Sequence, residues 1–297
     1  MEELKTVLIA GGSGLIGKQL TKVFKERGYR VYKLSRNARK QGHVQWNPKT
    51  KQVDEKYLSR VNILVNLAGA SIGDKNWSTK RKKELIDSRV ESTEFLHEMA
   101  AKMPKLSYYV GASGVNCYDL NVDKVFTEED AYGSDFLSTL VKDWEQASER
   151  FSAICPTLKL RIAMVLSNRG GSMNAMKRPV FFGLGSPIGP GTQYHPWIHI
   201  EDLCRMILFG IEQNLDGTYN AVAHCDTNKT MMKGIAKYMN RPFFMPSVPS
   251  FILTFFLGER ASLVLSDLRV SNDKIKKAGF TFKYDQLNKA LKALFSK

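Results

Sequence analysis

The segment Gly11-Gly12-Ser13-Gly14-Leu15-Ile16-Gly17 narrows the fold of this chain more than any other. Directly before it runs Thr6-Val7-Leu8-Ile9-Ala10, continuous and apolar, as expected of a parallel strand covered on both faces. Directly after it the sequence predicts a helix over 15–27, ended by Gly28. Between a strand and a helix, glycines at this spacing have distinct tasks. Gly11 permits the tight turn, Gly14 lets the backbone approach a pyrophosphate, and Gly17 lets the helix pack close to the sheet. The helix start supplies free N–H groups and a partial positive charge for phosphates, so Ser13, Leu15 and Ile16 join the three glycines as candidate cofactor-binding positions.

The alternation continues downstream. Strands are expected over 30–35, 61–67, 106–111 and 158–166, and helices over 78–103 and 134–151. Strand–helix alternation with short links implies parallel pairing with right-handed crossovers, hence an α/β chain built on a Rossmann-type doubly wound sheet. Ligands of such sheets lie beyond the carboxyl ends of the strands. After residue 167 the pattern loosens. Gly170-Gly171, a glycine-rich stretch over 183–191 and three prolines within 187–196 predict a long irregular segment. A helix over 199–212, a strand over 218–222 and a mostly helical remainder over 231–297, with a proline-rich link at 242–249, complete the reading. The expected organisation is a cofactor domain over 1–166, with 197–222 returning to its sheet, and a smaller substrate lobe, mainly helical, over 167–297.

The end of the second strand selects the cofactor. An Asp or Glu there holds the ribose hydroxyls of NAD. Here the strand ends Leu34-Ser35-Arg36, with Arg39 and Lys40 close behind. A carboxylate would repel a 2′-phosphate, whereas Ser35 can donate to it and Arg36 can pair with it, at roughly 1.5–3 kcal/mol for a charge-assisted bond. NADP(H) is therefore the expected cofactor.

Composition excludes several classes. At 43% hydrophobic and 25% charged residues, the 297-residue chain has the balance of a soluble globular protein. Cys117, Cys155, Cys204 and Cys225 are widely spaced, which argues for reduced thiols and against a disulfide framework or a metal site. The stretch Met1–Lys5 has no leader pattern, and the longest apolar stretch, 248–257, holds a proline and is too short to span a bilayer. A cytoplasmic protein without a membrane partner is expected. The net charge of +15 sits in runs such as Lys80-Arg81-Lys82-Lys83 and Lys274-Ile275-Lys276-Lys277, which read as solvated faces. No aromatic–basic signature or recognition helix accompanies them, so nucleic acid is not the expected partner. Nothing in the sequence speaks to the oligomeric state.

The glycine spacing, Gly-x-x-Gly-x-x-Gly, resembles that of the short-chain dehydrogenase/reductase superfamily. Further resemblances lie at Ser35-Arg36, Asn66-Leu67-Ala68-Gly69, Glu84 with Ser88-Arg89, and Lys142-Asp143-Trp144-Glu145. Others are Pro196-Trp197-Ile198-His199-Ile200-Glu201-Asp202-Leu203, the 183–191 stretch, and Arg269 through Gly279-Phe280. Together they cover nearly the whole chain, which resembles an atypical, extended member of the NAD-dependent epimerase/dehydratase type. Within it the likeness is to the "epimerase family" proteins that carry a C-terminal domain of unknown function. The resemblance implies an NADP contact set of Ser35, Arg36, Leu67, Ala68, Glu84, Arg89 and Val165, with Gly69 small enough for close approach of the backbone to the adenosine ribose.

Active members of that superfamily use a Tyr-x-x-x-Lys pair on a helix, where the ammonium lowers the phenol pKa from near 10. The only such spacing here, Tyr29 to Lys33, falls on the second strand. Counting back from Glu145 on the expected helix, the two positions are Leu137 and Val141, both apolar. Ser113, after the preceding strand, matches the superfamily's substrate-orienting Ser or Thr. Tyr118 and Lys142 are the candidates for a relocated acid, so the catalytic set expected is Ser113, Tyr118 and Lys142. An aromatic cleft wall at Tyr118 and a solvated lysine at 142 are the alternatives. In the second lobe, Tyr194 and Trp197 are expected to line the pocket, Asp202 to cap or complement the first turn of the helix begun at His199, and the 183–191 loop to act as a lid. The expected function is NADP(H)-dependent hydride transfer or epimerase-like chemistry on a carbonyl or alcohol of a small substrate, and a phosphorylated or nucleotide-linked one would suit the basic surface. The alternative is a cofactor-binding sensor or interaction protein that has lost the dyad.

Overall fold

A computed structural model describes residues 4–120 and 122–296. Met1–Glu3, within the stretch read for a leader, and Lys297, at the end of the last helical stretch, lie outside the described residues. The first half runs β1 (Thr6–Ala10), α1 (Leu15–Glu26), β2 (Arg30–Ser35), β3 (His43–Asn47), β4 (Gln52–Val53), β5 (Ile63–Asn66), α2 (Thr79–Asp87), α3 (Val90–Ala100), β6 (Tyr108–Gly114), β7 (Val125–Phe126), α4 (Phe136–Glu149) and β8 (Thr157–Ile162). There follow β9 (Met164–Leu166), α5 (Ser172–Phe181), β10 (Tyr194–His199), α6 (Ile200–Glu212), β11 (Gly217–Ala221), β12 (His224–Thr227) and α7 (Asn228–Tyr238). The last segment holds α8 (Ser250–Leu257), α9 (Ser262–Leu265), β13 (Arg269–Val270), α10 (Asp273–Lys277) and α11 (Leu287–Phe295).

Eight strands form the main sheet in the order β11-β8-β6-β5-β1-β2-β3-β4. All neighbours pair parallel except β3 with β4. The five residues of β1 are all buried. Their alternation sends Val7 and Ile9 into one apolar layer with Leu20 and Phe24 of α1, and Leu8 into the other with Phe95 and Met99 of α3. This two-sided burial is why the strand carries no polar residue after Thr6. Because β1 lies between β2 and β5, the winding reverses at β1/β5, the position beyond which sheets of this kind take their ligands.

Three expectations are corrected. The helix expected over 78–103 is two helices, broken at Ser88-Arg89, where side chains bond to the loop after β5 instead of continuing the turn. The strand expected over 158–166 is also two, because at Ala163 the chain leaves the main sheet. There β9 pairs with β10 and β10 with β12 in a three-stranded sheet. The segment expected to be irregular contains α5, with Pro179 inside its last turn. The strand β11 does join the main sheet, beside β8. Among the described residues the four cysteines are free, no helix is long and apolar enough to cross a membrane, and no His/Cys/Asp/Glu group could hold a metal.

Candidate functional site

The glycine turn is closed by the Gly14 N–H donating to the Gly11 carbonyl at 3.0 Å. Gly11 has φ +74°, and a Cβ there would lie 2.4 Å from the Leu67 carbonyl oxygen. The turn after β1 and the loop after β5 thus touch backbone to backbone at the winding reversal. A Cβ at Gly17 would lie 2.5 Å from the Gly11 carbonyl oxygen, so α1 packs directly on the turn. Gly14 is different: its nearest neighbour would be 3.3 Å away and within the same turn, so its outer side is open to a ligand. The N-cap is Gly14, with no side-chain cap and no acidic residue in the first turn. The helix therefore presents its first N–H groups and positive pole with nothing of its own to answer them, as an anion site requires.

Beyond β2 the surroundings are cationic. The Ser35 hydroxyl bonds the backbone of Asn37, while the exposed Arg36 guanidinium has no hydrogen-bond or ion-pair partner among the described residues. Burial, together with Lys25, Lys18 and Lys40, pushes the Lys33 ammonium below its ordinary pKa. Burial, Lys33 and Lys40 lower that of His43. A site where cations depress one another favours an anionic ligand.

The loop after β5 is held from below by two buried arginines. Arg89 donates to the carbonyls of Ala70 (2.9 Å) and Leu85 (3.1 Å), and its guanidinium stacks on Trp144 at 5.2 Å. Arg81 donates to the Ser71 carbonyl and pairs with Glu84 at 2.6 Å. Glu84 is thus the partner of Arg81 and not of Arg89, which pairs with no carboxylate among the described residues. Burial and the nearby Arg81 charge lower the Arg89 pKa to about 10. Gly69 leaves room for this arginine: a Cβ would lie 3.1 Å from the Arg89 guanidinium carbon, so a larger residue would crowd it. Leu67 and Ala68 follow β5 beside the glycine turn, and Val165 lies on β9 with its carbonyl near Gly171.

The three catalytic candidates do not form one constellation. Ser113 lies at the carboxyl end of β6, buried, and donates to Glu145 Oε1 at 2.5 Å. Tyr118 is fully buried; it donates to Asn220 (2.7 Å) and accepts from Arg161 (3.1 Å). Burial pushes its phenol well above the ordinary tyrosine range. A phenol so buried, with its proton already given to Asn220, is a weak acid, which counts against the relocated-acid expectation. Lys142 is exposed on α4. Leu137 and Val141, at the positions of the usual dyad, are buried. Leu137 packs against Leu85 and Leu140, with Leu263 of α9 beside them.

The group that sequence spacing did not bring forward is the pair at the centre of this network. Arg161 donates to Glu145 from Nε (2.9 Å) and Nη2 (3.0 Å), with both side chains almost wholly buried. Glu145 also accepts from Tyr132 at 2.7 Å. Despite its burial, these donors hold the Glu145 carboxyl below the ordinary range. Glu145 was visible as a motif residue and stands eight positions, two turns, beyond Leu137 on one face of α4. Its partner on β8 became evident only when β6 and β8 paired.

In the second lobe Trp197 is buried and donates to Asp226 at 2.8 Å, so it is core and not pocket wall. Tyr194 is partly exposed beneath the Arg269 guanidinium. The cap of α6 is His199, whose Nδ1 accepts the Glu201 N–H at 3.2 Å; Asp202 sits in the first turn, where its charge complements the helix start, and accepts the N–H groups of Lys283 and Tyr284. The 183–191 loop is pinned by backbone bonds of Gly189 and Pro187 with Val248.

Comparison with known proteins agrees with this geometry. Residues 7–136 match the NAD dependent epimerase/dehydratase family, and residues 248–294 match a domain of unknown function, DUF1731. An Epimerase family protein of Staphylococcus haemolyticus is 33% identical over 98% of this chain and 99% of its own length. Epimerase family protein YfhF of Bacillus subtilis is 33% identical over 98% of each. The crystal structure of the human epimerase family protein SDR39U1 with NADPH superposes with a TM-score of 0.89, at 30% identity over 98% of this chain and 99% of that one. UDP-glucose 4-epimerase of Thermotoga maritima, at 17% identity and a TM-score of 0.79 over 98% of this chain and 97% of that one, shares the fold. The chain belongs to the NAD dependent epimerase/dehydratase family, in the group of epimerase family proteins that carry the C-terminal domain DUF1731.

Proposed function

We propose that this chain binds NADP(H) and uses it for hydride transfer or epimerase-like chemistry on a carbonyl or alcohol of a small substrate. The observation that carries the reading is the pairing of an uncapped α1 terminus at Gly14 with a carboxylate-free, cationic end of β2 at Ser35 and Arg36. The human relative's structure with NADPH supports it. In this reading residues 1–166 hold the cofactor and 167–297 shape the substrate side. The pyrophosphate meets the N–H groups of 13–17, Ser35 and Arg36 take the 2′-phosphate, and the loop 67–69, held by Arg89, flanks the adenosine ribose. The bound nicotinamide supplies the hydride donor or acceptor. Ser113 gives its own proton to Glu145, so its remaining lone pairs can accept from a substrate hydroxyl and orient it.

A second reading rests on the apolar side chains at Leu137 and Val141 and the raised pKa of Tyr118. On it the protein binds NADP(H) as a sensor or interaction module without turnover. Calorimetric titration with NADPH and NADH, on the wild type and on Arg36→Ala, tests the shared part. NADPH binding that weakens at least about tenfold in the variant, at roughly 1.5–3 kcal/mol per charge-assisted bond, is the expected result. Equal affinity for both cofactors, or an unaffected variant, removes it. Carbonyl-dependent oxidation of NADPH then separates turnover from binding alone.

A further inference from the structure

The stretch 248–257, too short to span a bilayer, is not buried in the fold either. The helix α8 it contains has no buried residue. Phe182, Phe244, Phe251, Phe255 and Phe256 are each 70–82% exposed, although isolated exposed apolar side chains are the norm and a cluster is not. They belong to two segments that run side by side. The Ile188–Val248 bridge and the Gly189 bond to Val248 join the chain after α5 to the chain before α8. Gly185 abuts Phe243 and Pro242.

The charge of this surface is of one sign. Residues 172–191 and 228–258 contain Lys177, Arg178, Lys229, Lys233, Lys237 and Arg241, and no Asp or Glu. Lys229, Lys233 and Lys237 recur every four residues and form an exposed stripe along α7. Arg241 lies over the Phe181 ring at 5.2 Å, which ties the cations to the aromatic cluster. The first acid beyond α8, Glu259, is engaged with Lys82 at 2.6 Å.

We propose that this face docks on an anionic lipid bilayer, with α8 lying in the interface and the α7 stripe answering the headgroups. A helix of eight residues that is apolar on nearly every side can neither span nor pack alone; its place is at the boundary of acyl chain and headgroup. Juxtaposed lysines and arginines add attraction to anionic lipid. Self-association through the same face is disfavoured, because it would bring together two sets of like charges, all of them positive in these segments.

The test is sedimentation of the full chain with vesicles of phosphatidylcholine alone and of phosphatidylcholine with phosphatidylglycerol. The wild type is expected to pellet with the anionic vesicles only, less so in high salt. Phe255→Ser/Phe256→Ser and, separately, Lys233→Glu/Lys237→Glu are expected to lower the partition at least about tenfold. Their NADPH affinity and circular dichroism should match the wild type. A wild type that stays in the supernatant with anionic vesicles overturns the proposal. So does a phenylalanine variant that binds them as well as the wild type. A dimer in solution that Phe255→Ser/Phe256→Ser converts to a monomer assigns the face to a second copy and overturns it too.

Discussion

Replacing Gly17 by alanine sets two opposed effects against each other. Within α1 the added methyl improves helix propensity by about 1 kcal/mol. The same methyl would stand 2.5 Å from the Gly11 carbonyl oxygen and 2.6 Å from the Gly12 Cα, where ordinary contact begins at 3.4 Å. The turn must therefore retreat by 3.4 minus 2.5, or 0.9 Å. Overpacking of this kind costs about 1–3 kcal/mol, so net stability falls by about 0–2 kcal/mol. Binding suffers more. A hydrogen bond tolerates about 0.5 Å of donor displacement, and each one to a charged group is worth about 1.5–3 kcal/mol. Loss of one phosphate contact already weakens NADPH by about tenfold or more. Urea denaturation gives the midpoint and slope, and calorimetry gives the affinity. Gly28→Ala is the control: φ is +79° and nothing lies within 4 Å, so it carries only backbone strain of about 1–2 kcal/mol and should leave NADPH affinity unchanged. A Gly17→Ala protein that is more stable than the wild type and binds NADPH within about twofold would refute the packing argument.

Three further outcomes follow from the network around β6, β8 and α4 and from the second lobe. Glu145→Gln leaves the buried Arg161 guanidinium without a counter-charge and should lower stability by about 3–5 kcal/mol, read as a urea midpoint; an unmoved midpoint contradicts it. Tyr118→Phe removes the bond to Asn220 and should cost about 1–2 kcal/mol while NADPH binding stays as it was, so a matching loss of cofactor affinity would return Tyr118 to the site. Burial lowers the His195 pKa from its ordinary value of 6.5 to about 4. Between these values the unfolded chain binds the proton and the folded one does not, so stability is full above 6.5 and falls as the pH drops towards 4. The loss is on the order of 3 kcal/mol, and His195→Asn should flatten that limb of a thermal-melt profile; an unchanged profile assigns the acid sensitivity elsewhere.

The order of elements in the first half was legible because the signals are local. The strands β1 and β2 match the sequence reading to the residue, bounded by a glycine turn on one side and Gly28 on the other. The glycine turn was legible for the same reason: backbone approach and a free helix terminus depend on neighbouring residues only. The break at Ser88-Arg89 was not, because its cause is a bond to Ala70, eighteen and nineteen positions back. Nor was α5, where two glycines and an internal proline argue against a helix that packing on α7 nevertheless sustains.

The site divides along the same line. From its own residues the chain determined a glycine turn before an uncapped helix start, a carboxylate-free cationic end of β2, and apolar side chains at Leu137 and Val141. Only the tertiary structure decided that Glu84 answers Arg81, that Tyr118 is held in the core, and that Glu145 meets Arg161 beside Ser113. It also decided that the apolar 248–257 stretch faces outward. Spacing along one element reports what its residues can present together. Which buried charge meets which partner, and which apolar face is left uncovered, depend on how separate elements pack, and that information is spread over the whole chain.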